Sequence, residues 1–223
     1  MHWSEYLLPL TEGAWVTVQL TVYSTILGGV LAFVFGIGKL SSNLALKSVS
    51  VGYIEVLRGT SLLMQLFWLY FALPLAGMAI GIDLRLPPVV AGVLALGLNI
   101  GAYGAEVVRG AIQSVHQNQR EAARALNFTP RQTLFNIVIP QAIPEMMPSF
   151  GNLAVQNLKD TALVSLISLG DLTFRAEQIR NFTQDSTTIY TLLLSMYFGM
   201  ALVVTVVMRL IERFAGRWRL VGS

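Results

Sequence analysis

Five stretches of this chain are long and apolar enough to cross a bilayer, and no other feature limits its fold so sharply. A helix needs about 20 mostly apolar residues to span about 30 Å of hydrocarbon. The windows lie at about 11–38, 61–82, 87–103, 148–169 and 188–208. The first carries one charge, Glu12, at its outer end, and the second none. The third opens on Pro87-Pro88, suited to a first helical turn, where a missing N–H is no loss. The fourth is interrupted by polar residues. The expected fold is an all-α integral membrane protein of about five transmembrane helices, a single domain over 1–223. Charged residues make up only 12% of the chain, about half the roughly 25% of soluble domains. That excludes a disordered chain, a nucleic-acid-binding tail and an ordinary soluble enzyme. With no cysteine, a disulfide framework and a Cys-ligated zinc or iron–sulfur site are excluded too.

Orientation follows from where lysine and arginine fall. Segments around 39–58, 109–131 and 209–219 carry eleven: Lys39, Lys47, Arg58, Arg109, Arg120, Arg124, Arg131, Arg209, Arg213, Arg217 and Arg219. The opposite side holds four, Arg85, Lys159, Arg175 and Arg180. This bias predicts an N-terminus outside and a C-terminus in the cytoplasm. Trp3, Tyr6 and Trp15 fit an outer aromatic belt and Trp218 an inner one, with Arg217 and Arg219 placed to meet lipid headgroups. The first Lys or Arg is Lys39, so the basic start of a signal peptide is missing and the first span is expected to be retained. Five spans are few for a secondary transporter, which commonly uses paired repeats. Dimerisation or a partner chain is expected.

Between the third and fourth windows lies a more polar stretch, about 111–139, with helix signals of its own. Gln119–Leu126 is rich in strong helix formers. Asn127 tolerates the left-handed conformation that ends a helix. Thr129-Pro130-Arg131-Gln132 restarts one, with Thr129 as N-cap, Pro130 at the first position and Gln132 closing a capping box. Two short helices therefore meet at a corner on the cytoplasmic face. A solvated connector is the bland reading. A DNA-reading helix-turn-helix is disfavoured, because the loop is tethered between membrane spans and has no continuous basic stripe. The third reading is a knob for a soluble partner, with Ala122 and Ala123 fitting a groove and Glu121 and the arginines at its rim.

Here the sequence resembles a known family. Glu121-Ala122-Ala123, followed by Ile137-Val138-Ile139-Pro140, resembles the EAA signature of prokaryotic ABC importer permeases, with Asn127 where Gly is usual and Ile139 for Leu. Tyr53-Ile54-Glu55-Val56-Leu57-Arg58-Gly59-Thr60-Ser61-Leu62-Leu63-Met64-Gln65 resembles the Y-I-E-x-x-R-G-T-P-L-L-x-Q segment of the polar-amino-acid type, with Ser61 for Pro. The segments from Asn99 to Ile112, Pro140-Gln141-Ala142 and Asn157 to Leu163 also resemble that type, and Asn118 is a second Gly-to-Asn departure. The resemblance implies an assembly in the bacterial cytoplasmic (inner) membrane. Two permease chains, identical or homologous, would pair above two ATP-binding subunits, and an extracytoplasmic solute-binding protein would deliver the solute. Glu121, Ala122, Ala123, Arg124 and Asn127 would dock the ATPase. ATP and Mg²⁺ belong to that partner. The nearest approach to a phosphate-binding loop here, Gly38-Lys39, has Phe33 for the leading Gly and Leu40 for Ser or Thr. No cofactor, metal or nucleic acid is expected on this chain, and no catalytic set is found.

The fourth window holds the polar groups that need a reason. Ser149, Asn152, Gln156, Lys159 and Asp160 fall within about 100° of one another on a helix, and Asn157 falls outside. A buried Asp, Lys or Arg costs roughly 2.5–3.5 kcal/mol at a helix centre. One reading is a pathway for a zwitterionic solute, with Lys159 meeting a carboxylate and Asp160 an ammonium. The other is structural, with the amides joining helices and Lys159–Asp160 a local pair near the outer interface. Gln65 and Tyr70 are further pathway candidates. Glu106 with Arg109, and Glu55 with Arg58, are either i,i+3 ion pairs or a cytoplasmic gate. Gly97-x-x-x-Gly101 suggests close helix packing. Pro140, Pro144 and Pro148 break the approach to span four as a hinge or a kink. The function expected is uptake of a polar amino acid or amino-acid-derived solute by alternating access. A non-transporting membrane scaffold or sensor, an integral-membrane enzyme, a passive channel, and an importer of ectoine or an opine are the alternatives.

Overall fold

In the computed structural model, which describes residues 4–216 with side chains from Tyr6 onward, the apolar windows become helices. His2, Trp3, Arg217, Trp218 and Arg219 lie outside the described residues. The order is α1 (Ser4–Lys39), α2 (Leu44–Gly59), α3 (Leu62–Phe67), a π turn (Trp68–Ala72) and α4 (Leu73–Ala79). Then come α5 (Pro88–Ser114), α6 (Gln117–Ala125), α7 (Pro130–Thr133), a second π turn (Leu134–Val138) and α8 (Ile139–Asp160). A 3₁₀ stretch (Thr161–Ile167), α9 (Leu172–Thr183) and α10 (Ser186–Gly216) complete the chain. Among the described residues there is no strand.

Four helical runs are long and apolar enough to cross a membrane: α1, the continuous run Leu62–Ala79, α5 and α10. The fourth window behaves differently. It falls on the second half of α8 and the 3₁₀ stretch, and its polar stripe keeps it below that hydropathy. The segment around 39–58 also differs from a simple connection. It is mostly α2, a helix started by the Asn43 side chain, which accepts from the N–H of Ala45 and Leu46.

Each π turn ends just ahead of a proline, Pro74 or Pro140. A proline ring crowds the carbonyl four residues back and offers it no proton. The wider turn relieves this, with Leu73 N–H donating to Trp68 O and Ile139 N–H to Leu134 O. Pro144 and Pro148 do not break anything: α8 runs through both. Of the three prolines, Pro140 alone is preceded by an irregular turn.

The tightest packing joins α1 to α5. A Cβ on Gly101 would sit 2.7 Å from Tyr53 Oη and 2.9 Å from Leu31 Cβ, and one on Gly36 would sit 2.7 Å from Ala105 O. Gly28 on α1 thus faces Gly97 and Gly101 on α5, Ala32 faces Gly104 and Gly36 faces Ala105, two rows of small residues that let the backbones approach. Residue numbers rise together along the two rows, so α1 and α5 run parallel. α8 runs the other way. Phe150 stacks on Phe33 near one end, and Asn157 reaches Ser24 further up. At the C-terminal end of α5 the core is Ala32, Val108, Ile112, Ala142 and Met146. At the opposite end Leu10, Leu172, Ala176 and Ile189 close it. The most apolar stretch of α10 has no buried residue, as suits a face turned to lipid or to another chain.

α9 starts on a buried acid. Asp171 is 0% exposed, and its carboxylate accepts from the N–H of Phe174 at 3.0 Å and Thr173 at 3.2 Å. Burial pushes its pKa up to about 6, against the pull of those backbone donors.

Two predictions follow from this packing. Gly28→Leu is expected to cost at least about 1–3 kcal/mol, as overpacking does, because a Cβ there overlaps Ile100. Gly29→Leu is expected to be tolerated, since nothing lies within 4 Å; thermal unfolding in detergent separates the two. For Asp171, a folded pKa above the unfolded value means stability is greatest below about pH 4 and is lost as pH rises through about 6. Asp171→Asn keeps the cap and should flatten melting temperature against pH across that window.

Candidate functional site

A cavity of about 430 Å³ opens where three helices leave a gap. One wall is the break between α2 and α3, residues 60–63. Another is the middle of α5, with Asn99, Ile100 and Tyr103, and the third is α8, with Leu153, Gln156, Asn157 and Asp160. Asn99 and Tyr103 flank Gly101, the midpoint of α5, so the cavity sits about halfway along the bundle. Membrane transporters commonly bind solute at such a depth, beside interrupted helices.

The α8 wall is fixed from behind. Asn157 is 3% exposed and donates to Ser24 Oγ at 2.7 Å, Thr25 Oγ1 at 2.9 Å and Thr21 O at 3.3 Å, all on α1. That anchor turns Gln156 and Asp160 to the cavity side, where Gln156 Nε2 donates to Asp160 Oδ1 at 2.8 Å. Asn152 is exposed, Ser149 partly so, and they continue the stripe toward the start of α8 outside the cavity lining. Lys159 is exposed, is not part of the lining and makes no ion pair with Asp160. The expected Lys159–Asp160 pair therefore does not form. Its cause is direction: consecutive helical residues point about 100° apart.

Gln65 is placed differently from the pathway expectation. Its Nε2 donates to Leu57 O at 2.8 Å, Thr60 Oγ1 at 2.8 Å and Thr60 O at 3.3 Å, while its Oε1 accepts from Asn99 Nδ2 at 3.2 Å. Its amide is spent on carbonyls freed at the α2–α3 break and on holding that break to α5. Ser61, at the head of α3, makes no side-chain cap, leaving first-turn amides beside the cavity. Tyr53 helps fix the same region by donating to Leu98 O at 2.7 Å and stacking on Phe35.

The two expected ion pairs resolve unequally. Glu106 and Arg109 are joined, with Arg109 Nε to Glu106 Oε2 at 2.8 Å. Lys39, from the end of α1, completes the site at 2.6 Å from Glu106 Oε1 and lies 3.5 Å from Glu55. Glu55 and Arg58 do not pair. Arg58 instead stands over the Tyr103 ring, 5.3 Å from its centroid. Lys39, Asn99 and Tyr103 were not singled out by sequence reasoning as site residues. The available signal was a lysine closing an apolar helix and an amide inside one.

At the other candidate site, the corner forms as its spacing predicts. Asn127 has φ 58°, its N–H donates to Arg124 O at 2.9 Å, and Phe128 N–H donates to Ala123 O at 3.0 Å. These are the two bonds of a Schellman closure. Thr129 and Gln132 form the full capping box. Glu121, Ala122 and Arg124 are exposed, whereas Ala123 is 1% exposed and faces the protein's own core. Arg120 donates to Ile112 O at 2.7 Å, pinning α6 to the end of α5. Asn127→Val, β-branched in a left-handed position, is expected to lose about 1–2 kcal/mol locally; faster trypsin cleavage at Arg124 and Arg131 would register it.

Comparison with known proteins agrees with this architecture. Residues 24–219 match the family model of binding-protein-dependent transport system inner membrane components. A probable amino-acid ABC transporter permease of Sinorhizobium fredii is 66% identical over 98% of this chain and 92% of its own length. The glutamine transport system permease of Escherichia coli is 33% identical over 92% of this chain and 91% of its own. In the crystal structure of an amino acid ABC transporter with histidines, one chain superposes with a TM-score of 0.84 at 36% identity, covering 94% of this chain and 95% of that one. The chain belongs to the family of binding-protein-dependent transport system inner membrane components, the permease subunits of ABC importers.

Proposed function

We propose that this chain is the permease subunit of an ATP-driven importer for a polar amino acid or an amino-acid-derived solute, working by alternating access. The observation that carries the reading is the cavity halfway along α5, whose α8 wall is the polar stripe of Gln156 and Asp160. The amino-acid relatives described above support the solute class. The chain would cross a bacterial inner membrane five times, α8 included, with its N-terminus outside and its C-terminus in the cytoplasm. The helix directions support this count: α1, α5 and α10 run one way, and the Leu62–Ala79 run and α8 the other.

In the complete assembly, two ATP-binding subunits sit below the exposed face of α6, and Glu121, Ala122 and Arg124 meet them. Ala123 and Asn127 serve the same contact indirectly, by packing the helix and turning its corner. A second permease chain, identical or homologous, covers the remaining exposed faces, and an extracytoplasmic binding protein supplies solute. ATP and Mg²⁺ act in the ATP-binding subunits. Full switching between outward and inward states takes about 5.5 kcal/mol of differential binding, to be supplied by ATP and the docked binding protein together.

The test uses the chain tagged in native membranes. An ATP-hydrolysing subunit should co-purify, and Glu121→Lys should reduce its recovery or coupled activity at least tenfold. Asn152→Leu with Gln156→Leu should keep that recovery while uptake of labelled amino acids drops at least tenfold. Uptake undisturbed by the double change would favour a scaffold or sensor over a permease.

A further inference from the structure

We infer that Tyr103, held by Arg58, is the inner gate of this cavity, and that rotation of its ring opens the route to the cytoplasm. The inference rests on the transport reading and the orientation proposed above, and adds the residues that shut one end of the pathway.

The two ends of the cavity are built differently. Its outer end is apolar, with Leu63, Leu96 and Leu163. Its inner end is Tyr103 on α5, Leu153 on α8 and Thr60 at the α2–α3 break. Just below that level the seam between α5 and α8 is packed. A Cβ on Gly104 would sit 3.2 Å from the Phe150 ring, and Val108, Ala142 and Met146 continue the contact inward as buried core. Interiors packed in this way leave no passage unless the helices separate. The seam between α2 and α5 is looser. There the Arg58 guanidinium stands 5.3 Å from the centre of the Tyr103 ring. Tyr103 is 40% exposed, and among the described residues Arg58 makes no ion pair.

Helix direction explains how the two residues meet. Helical side chains lean toward the N-terminus of their own helix. α5 starts at the outer end, so the Tyr103 ring leans outward into the foot of the cavity. α2 starts at the inner end, so Arg58 leans inward and supports the ring from the cytoplasmic side. Attraction between a cation and a ring face is modest where water has access, so this support can be given up and regained. A change of Tyr103 rotamer moves the ring without disturbing the glycine-packed backbone of α5. The space it opens onto is polar: Glu55, one turn further in on α2, has a side chain 64% exposed.

The chain has no cysteine, so Ser61→Cys, in the cavity lining, reports water access to the cavity. The permease–ATPase assembly in inside-out membrane vesicles, without nucleotide, is treated with an uncharged, sugar-linked methanethiosulfonate that does not cross the bilayer. The mass of this chain reads the labelling. Gly110→Cys, exposed near the inner end of α5, gives the unhindered rate. Ser61→Cys should react at least tenfold more slowly. Adding Tyr103→Ala should speed it at least tenfold, and Arg58→Ala at least threefold. Tyr103→Phe and Arg58→Lys, which keep ring and cation, should leave the rate within about twofold. If Tyr103→Ala fails to assemble, Arg58→Ala, outside the lining, carries the test. A Ser61→Cys rate already equal to that of Gly110→Cys, or one that neither alanine change raises, overturns the gate; labelling from the outer face when ATP is supplied then leaves the transport reading standing. No labelling of any Ser61→Cys variant from either face, with or without ATP, overturns the transport reading itself.

Discussion

A backbone amide in hydrocarbon has no water to turn to, and most of this structure is a response to that fact. Regular helix satisfies the long runs. The irregular places are the informative ones. Ahead of Pro74 and Pro140 the chain widens to π turns. At the α2–α3 break, where regular bonding stops, the Gln65 side chain takes up Leu57 O and Thr60 O. On α1, Thr17, Thr21 and Ser24 return their hydroxyls to carbonyls three or four residues back, so these buried groups also leave no polar atom unspent.

The same constraint separates what is rigid from what is open. The glycine rows of α1 and α5 bring two backbones together so closely that little between them can shift. Asn157 ties α8 to that pair, and Gln65 with Asn99 ties the α2–α3 break to it. The cavity lies between these two amide anchors. Each of its polar walls is held from behind by a buried amide whose neighbours face the space. Removing an anchor would leave a buried polar partner unsatisfied, which costs about 1–3 kcal/mol, so the walls are set by the fold rather than by a solute.

Local signals were the legible ones. Long apolar windows, the capping box of Thr129 and Gln132, the left-handed turn at Asn127 and the close packing of Gly97 and Gly101 depend on residues a few positions apart. Spacing alone identifies them. Lys39 with Glu106, separated by 67 positions, and Asn99 with Gln65, separated by 34, carry no such signature. Glu55 and Arg58 show the opposite error: the i,i+3 spacing was right, but Tyr103 and Lys39 offered each a better partner in three dimensions. Pro144 and Pro148 lie inside an unbroken α8, as proline can in a membrane helix. Ala123 is buried beside the exposed Glu121 and Ala122, because consecutive helical residues point about 100° apart and the short motif alone does not say which of them packs inward.

The corner between α6 and α7 gives the importer reading its mechanical content. α6 is fastened to the end of α5 by Arg120, and α7 passes through its π turn into α8 without a connecting loop. The two helices leaving this corner are the ones that form facing walls of the cavity, with Asn99 and Tyr103 on α5 and Gln156 and Asp160 on α8. A force applied to the exposed face of α6 therefore has two routes to the walls, through the Arg120 anchor to α5 and through the corner and α7 to α8. On the second route lies the π turn at Leu134–Val138, bonded in a wider register than the α-helix on either side. The Schellman turn at Asn127 matters for the same reason: a loose corner would absorb the displacement before it reached either helix.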